Sequence, residues 1–292
     1  MSIQSIAVAS AKSFGDFVIA HSVLHRIEEP ARRRLRLLAC SHLRALSAIL
    51  PADVGVTLVT SGEEHVPAIF DVKKRGAWSA VRSALTLRRQ FQMIERHDNE
   101  VLAFDALGVR ERFIAGSWPV IGPRSKGANI YETYSKMFAE HGAGIAAAPA
   151  TTAGRIRSVG IFPESRLVEK ILTRMTLATI LERAARAGVA AKLFILDGDR
   201  FVAAEFVEVT RIQRNFESLA NAIRSVDGVI SADSLPAHLA EYFARPVFVA
   251  SASPNEYWLP PRCFAQRSWA LFGEQVRFSD ALDRFLSSAA SS

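Results

Sequence analysis

Short apolar runs alternate with polar turns and helical patterns along the first half of the chain. The first run, Ser5–Ser10, is followed by a polar turn and by a helical pattern over Phe17–Ile27, whose apolar residues recur at spacings of three and four. Further apolar runs predict strands, with helical patterns between and after them, at 35–40, 56–60 and 101–104. Alternating strands and helices favour a mostly parallel sheet with helices on both faces.

The same alternation starts again after a stretch of weak pattern. A helical pattern over Tyr131–His141 ends at residues 142–155, whose small residues, glycines and proline make this stretch the best linker candidate. Beyond it the patterns predict strands at 158–162, 191–196, 226–230 and 247–250. They also predict helices from about 170 to 187, over 216–225 and over 279–286, and a short helix that ends at 243. We therefore predict two α/β domains, 1–150 and 151–292, with the last helix a candidate for packing back on the first domain.

The composition is that of an ordinary soluble globular protein. Of the 292 residues, 49% are hydrophobic and 22% are charged, which is enough apolar material for two cores. No apolar run approaches the ~20 residues that a membrane-spanning helix needs, and the N-terminus does not have the pattern of a signal peptide. Cys40 and Cys263 lie far apart and offer no metal-ligand spacing, so we expect a cytoplasmic location and no metal site.

The net charge of +7 is concentrated toward the first half of the chain. Its densest segments are Arg32–Arg36, Lys73–Arg75 and Arg88–Arg89. A basic surface attracts anionic lipid, nucleic acid or a phosphorylated acceptor, although such clusters also occur on surfaces that only contact water. No helix-turn-helix, zinc finger or aromatic RNA-binding motif is present, so we expect no nucleic-acid partner. The absence of a glycine-rich dinucleotide fingerprint, a P-loop and a nucleophile elbow disfavours nicotinamide enzymes, kinases and α/β-hydrolases.

The first candidate site is the turn Ser13-Phe14-Gly15-Asp16, directly after the first predicted strand. Glycine lets the chain turn sharply or approach a ligand, so Ser13 and Gly15 are candidate donor or acceptor contacts. Asp16 stands at the start of a helix, where it is either an N-cap or a carboxylate placed as a general base.

Two further candidates follow strands of the second half. In the loop after 158–162, Ser165 can donate a hydrogen bond and Lys170 can meet a phosphate as a point charge, or the two residues simply cap a helix and face water. The stretch Asp233-Ser234-Leu235-Pro236-Ala237-His238 lies between a strand and a helix, where free N–H groups and the helix dipole suit a diphosphate. The alternative is a well-capped helix with His238 packed beneath the loop.

Weaker signals lie elsewhere. Asp199, in the turn Asp197-Gly198-Asp199, is a candidate for contact with a ribose. His21 and His25 lie four residues apart on the first predicted helix without an accompanying carboxylate or cysteine pattern, which indicates ordinary helical histidines.

Taken together, these stretches resemble glycosyltransferase family 9, the lipopolysaccharide heptosyltransferase family. The opening turn, with Ser13, Gly15 and Asp16, is similar to that family's Ser-x-Gly-Asp loop. The segment Val159–Pro163 with Lys170 resembles the opening of its second domain, and residues 233–240 resemble its Asp-Ser/Thr-Gly-Pro-x-His-Leu-Ala signature. The motif order agrees along the whole chain, and detailed matching covers roughly 70 residues.

The resemblance implies a GT-B fold, in which two Rossmann-like domains with mostly parallel sheets face an interdomain cleft. It implies that 1–150 is the acceptor side and 151–292 the donor side, and that the chain is an inverting, metal-independent glycosyltransferase without a cofactor. Asp16 takes the place of the family's base and Lys170 that of its phosphate-binding lysine. Donor contacts are expected at Ser165, Asp233, Ser234, Leu235 and His238. The implied donor is a nucleotide sugar, ADP-heptose first of all, and the acceptor is a lipopolysaccharide-core or other glycan, with peripheral contact at an anionic inner membrane face.

Three departures from the family pattern keep other functions open. Leu235 replaces the signature glycine, the aromatic residue that often follows the mapped lysine is absent at Ile171, and the chain is short for the family. Two alternatives remain: a non-catalytic relative that binds a nucleotide sugar or glycan, and a nucleotide-sugar epimerase on the same fold.

Overall fold

The computed structural model describes residues 5–59, 66–147, 154–198 and 209–287. The chain divides into two compact units, Met1–Ala148 and Pro149–Ser292. Among the described residues both units contain only parallel strand pairing within their sheets, which confirms the predicted α/β class.

The first unit is built on a five-stranded sheet. In chain order its strands are β1 (Ile6–Ser10), β2 (Leu35–Cys40), β3 (Gly55–Val59), β4 (Val101–Ala103) and β5 (Val120–Ile121), and they lie side by side in the order β3-β2-β1-β4-β5. The α-helices are α1 (Phe14–His25), α2 (Arg44–Ser47), α3 (Val72–Arg75), α4 (Ala77–Met93), α5 (Val109–Ala115) and α6 (Ile130–Glu140). The strands read as apolar runs because both faces of a parallel sheet are covered.

Helices α4 and α5 enclose one core of the first unit. Leu87 and Phe91 of α4 are buried against the sheet together with Leu38 and Leu102. Trp118 closes this core, and its indole nitrogen donates a hydrogen bond of 2.8 Å to the carbonyl oxygen of Phe91. Helix α4 is therefore buried against this core along one side only.

The second unit carries a six-stranded sheet in the order β11-β10-β9-β6-β7-β8. Its strands are β6 (Ser158–Phe162), β7 (Ala190–Leu196), β8 (Val209–Ile212), β9 (Gly228–Ala232), β10 (Val247–Ser251) and β11 (Trp269–Leu271). Its α-helices are α7 (Arg174–Arg186), α8 (Phe216–Arg224), α9 (Leu235–Tyr242), α10 (Pro261–Gln266) and α11 (Gln275–Ser287).

The last helix, α11, is buried within its own unit. Phe278, Leu282 and Phe285 belong to the second core, where Phe278 and Phe285 contact Phe248 of β10. The apolar face of α11 thus covers the second sheet. Packing of this helix on the first domain stays a prediction.

The helix expected from about residue 170 begins later. Lys170 instead ends a 3-10 turn, Val168–Lys170, and α7 starts at Arg174 behind an N-cap at Thr173. The Thr173 hydroxyl accepts a hydrogen bond of 3.1 Å from the amide of Thr176. Lys170 therefore lies in the segment between β6 and α7 and is not part of α7.

Candidate functional site

An ion pair lies at the carboxyl edge of the first sheet. Lys12 follows β1 and Asp105 follows β4, and these two strands are neighbours, so their carboxyl ends meet. The Lys12 Nζ atom lies 2.7 Å from each carboxylate oxygen of Asp105. Both side chains are largely buried, with 24% and 11% of their surface exposed. The pair therefore places one positive and one negative charge beside the first turn of α1.

Asp16 occupies the first turn of α1, and Ser13 is the N-cap. The Ser13 hydroxyl donates a hydrogen bond of 2.9 Å to Asp16 Oδ2, and it accepts one of 3.4 Å from the amide of Asp16. Of the two interpretations weighed for Asp16, the N-cap role therefore belongs to Ser13. Gly15 lies in the same turn, so the three residues singled out from the sequence are together.

The environment of Asp16 favours its protonated form. Burial is the largest influence and raises the pKa of the Asp16 carboxyl above its usual value, and the nearby Asp105 carboxylate raises the pKa further. The Lys12 ammonium and the hydrogen bonds with Ser13 oppose this increase. A carboxylate with a raised pKa accepts a proton more readily than an ordinary one, which is the property that a general base needs.

A second ion pair lies in the second unit, where β6 and β9 are neighbours. Asp233 directly follows β9, and the Lys170 Nζ atom lies 2.6 Å from Asp233 Oδ2. The Asp233 side chain is 8% exposed and that of Lys170 is 24% exposed. The structure therefore joins two residues that the sequence places 63 positions apart.

The N-terminus of α9 lies beside this pair. Ser234 is its N-cap, but no side-chain hydrogen bond caps the helix. The Ser234 hydroxyl donates to two carbonyl oxygens, those of Glu164 at 3.1 Å and Ala232 at 3.3 Å. No side chain of the described residues therefore caps the first turn of α9, although Pro236 has no N–H and the amide of Ala237 donates a hydrogen bond of 3.1 Å to the Ser234 carbonyl. Leu235 is the first helical residue and is partly exposed.

His238 is buried one turn into α9. The pKa of His238 is lowered to about 4: burial is the main cause, the Asp233 carboxylate opposes it, and the Lys170 ammonium acts in the same direction as burial. The imidazole is neutral at pH 7 as a result. His238 thus adds a polar but uncharged group to the Lys170–Asp233 pair.

Ser165 is joined to this cluster through its neighbour in sequence. Its hydroxyl accepts a hydrogen bond of 3.3 Å from the amide of Leu167, which stabilises the loop after β6. The adjacent residue, Glu164, accepts two hydrogen bonds. Its backbone carbonyl accepts one from the Ser234 hydroxyl, and its carboxylate accepts one of 3.3 Å from the amide of Leu196. Asp199 lies outside the described residues.

Sequence reasoning missed Lys12 and Asp105 as members of the first cluster, and it gave Glu164 of the second cluster no role. Lys12 and Asp105 each lie just past a strand, which is a usable signal, but their contact requires knowing that β1 and β4 are adjacent. Within the described ranges, no group of three or more His, Cys, Asp or Glu residues could hold a metal ion. A search of the same ranges finds no helix with the length and apolar character to span a membrane.

The fold is shared with solved glycosyltransferases. The chain is similar to E. coli heptosyltransferase WaaC with ADP, at 11% identity and a TM-score of 0.63, over 97% of this chain and 99% of that chain. It is also similar to a glycosyl transferase family 9 protein from Veillonella parvula DSM 2008, at 13% identity and a TM-score of 0.62, over 99% of this chain and 97% of that one. E. coli ADP-heptose lps heptosyltransferase II matches at 11% identity and a TM-score of 0.55, over 99% and 100% of the two chains.

These likenesses confirm the GT-B class of fold that the motif resemblance implied. No protein-family model matches the sequence, and a search of curated proteins gives no match. At such low identities the similarity is one of fold, and the activity has to be argued from the residues.

Proposed function

We propose that this protein is an inverting glycosyltransferase that moves a sugar from a nucleotide diphosphate to an acceptor hydroxyl. The observation that carries the proposal is Asp16, a largely desolvated carboxyl at the carboxyl end of β1 that Ser13 holds by a hydrogen bond. The fold supports the same reaction, because WaaC is solved with ADP and with ADP-2-deoxy-2-fluoro heptose. ADP-heptose is accordingly the first donor to test, and a lipopolysaccharide-core glycan the first acceptor.

In the proposed reaction Asp16 accepts the proton of the acceptor hydroxyl as the new bond to the anomeric carbon forms. An alcohol is a poor nucleophile, and a base within hydrogen-bond reach contributes about 10² to 10⁴ in rate. The hydrogen bond from Ser13 orients the carboxylate, and Lys12 is held by Asp105 at 2.7 Å rather than by Asp16. The base therefore remains available for a proton.

The departing nucleotide diphosphate gains negative charge as the glycosidic bond breaks. Lys170 and the uncapped first turn of α9 are proposed to stabilise that charge. An ammonium group carries three donors, so Lys170 can contact a phosphate while one N–H remains bonded to Asp233. Neutral His238 places no additional positive or negative charge there. In this proposal a lysine side chain and backbone amides stabilise the leaving diphosphate. We therefore expect the chelator EDTA to leave the rate of transfer unchanged.

A donor panel tests the proposal. Thermal unfolding is measured with ADP-, GDP-, UDP- and dTDP-sugars, because a ligand that binds the folded protein alone raises its melting temperature. The selected donor is then incubated with and without glycan acceptors. Transfer that requires an acceptor supports the proposal, whereas conversion of the donor alone indicates an epimerase.

One alternative has structural support, namely a protein that binds a nucleotide sugar without transferring it. The Lys170 charge is already paired with Asp233, and the side chain of Leu235 stands at the first turn of α9. Calorimetric binding of a nucleotide sugar without turnover on any acceptor would favour this alternative.

A further inference from the structure

Helix α4 has apolar residues on two opposite sides. One side, with Ala80, Ala84, Leu87 and Phe91, is buried in the first unit. At 100° per residue, the other side carries residues that are all exposed. We call this set the outer face of α4: Trp78, Val81, Arg82, Leu85, Arg89 and Met93.

The outer face exposes large apolar side chains in a row. Trp78 is 81% exposed and Met93 76%, while Val81 and Leu85 are 51% and 46% exposed. Single exposed apolar residues are common on proteins, but four that line one side of a helix form a patch of the kind that marks an interaction surface. Neither the first core nor another described element covers it.

The chain segment that carries the outer face has basic residues as its only charged ones. Six Lys and Arg residues and no Asp or Glu occur between Val72 and Ile94. Three of them lie on α3, which Gly76, at a φ of +79°, separates from α4. None of the six cationic side chains forms an ion pair with a described residue, and five of them also lack a ring contact there: Lys73, Lys74, Arg75, Arg82 and Arg89.

The sixth cation extends the patch toward α5. The Arg88 guanidinium lies 4.9 Å from the ring centre of Phe113 and donates a hydrogen bond of 3.1 Å to the Phe113 carbonyl. Phe113 is itself 41% exposed. Apolar area and positive charge thus continue together across two helices.

We propose that the outer face of α4 docks the first unit on an anionic phospholipid bilayer. A helix with tryptophan and aliphatic residues between lysines and arginines lies in the plane of the membrane interface, with its apolar residues among the acyl chains and its cations at the phosphates. Each cation near such a surface adds about 1 kcal/mol. Trp78, the most exposed of these residues, is the anchor.

The charge of the face argues against a second copy of this chain as the occupant. A twofold dimer through this surface brings identical patches together, and six cations would then face six others without an acid between them. Anionic lipid supplies the missing negative charge. Docking of this kind requires nothing of the chemistry at Asp16, so it stands or falls separately from the proposed transfer.

Vesicle flotation tests the inference with the full chain. Vesicles of phosphatidylcholine alone are compared with vesicles that contain one quarter phosphatidylglycerol, at about 0.1 M salt, where the screening length is about 10 Å. We expect the protein to float with the anionic vesicles only. The fluorescence of Trp78 should shift to the blue on binding, and Trp78→Ala should remove both the shift and most of the binding.

The charge of the face is tested by Arg82→Ala with Arg89→Ala. Loss of two interfacial cations should weaken binding about 30-fold. The matched control is Arg33→Ala with Arg277→Ala, which removes the same charge from two side chains that are each 82% exposed and distant from α4 in sequence. Equal binding by the two double variants, equal binding to both vesicle types, or no binding at all overturns the proposal. Dimerisation that Trp78→Ala abolishes, or nucleic-acid binding without vesicle binding, overturns it as well.

Discussion

Acidification is expected to destabilise the second unit through His238. The pKa of this buried imidazole is lowered to about 4, against an ordinary value of 6.5. As pH falls, the unfolded chain takes up a proton near pH 6.5, but the folded protein does not until about pH 4. Stability is therefore complete above pH 6.5 and declines as pH falls through this interval.

The size of the loss follows from the two pKa values. One pKa unit corresponds to 1.36 kcal/mol, so the interval amounts to about 3 kcal/mol once pH 4 is reached. At pH 5 about 2 kcal/mol is lost, because the folded imidazole is still almost entirely neutral there. For a protein of this size the melting temperature should fall by about 4–8 °C.

Urea unfolding between pH 7 and pH 5 provides the assay. In His238→Gln the free energy of unfolding should fall less between pH 7 and pH 5 than in the wild type, because unfolding no longer takes up a proton at this position. The exposed His97 offers the control His97→Gln, which should leave the pH dependence of the wild type unchanged. Parallel curves for the wild type and His238→Gln across this range would refute the reasoning, since they would mean that His238 is protonated equally in both states.

Three further substitutions test other contacts of the second unit. Arg262→Met should cost about 3 kcal/mol in thermal denaturation, because it removes the guanidinium whose Nη1 lies 3.4 Å from the buried Glu241 carboxylate; wild-type stability would contradict the importance of this ion pair. Lys170→Met should weaken ADP binding about tenfold to 100-fold in calorimetry, and an unchanged dissociation constant would show that Asp233 holds the lysine away from the phosphates. Leu235→Gly should tighten ADP binding by opening the first turn of α9, and weaker binding would mean that the leucine side chain contributes to the site.

Much of the fold was predictable because its central strands are buried on both faces. The strands Leu35–Cys40 and Ser158–Phe162 have the bounds that their apolar runs predict. The edge strands β5, β8 and β11 escaped prediction. β5 has two residues, and β8 exposes Thr210 and Arg211, so neither forms an apolar run.

The candidate site was predictable only where its contacts are local. Ser13 and Asp16 lie three residues apart, and their hydrogen bond follows from the helix start. The bond between Lys12 and Asp105 spans 93 positions and depends on strand order, which no local pattern encodes. The helix predicted from about residue 170 begins at Arg174 instead, because the cap at Thr173 sets its start.

The central claim is that Asp16 is the base, and the pH dependence of sugar transfer tests it most directly. Release of nucleotide diphosphate in the presence of acceptor is measured for wild type, Asp16→Asn and the exposed control Asp98→Asn. We predict that wild-type kcat/KM falls as pH drops through the raised pKa of Asp16, and that Asp16→Asn loses at least about 100-fold in rate. ADP binding should be retained in Asp16→Asn, and Asp98→Asn should resemble the wild type. Full transfer activity in Asp16→Asn would contradict the account.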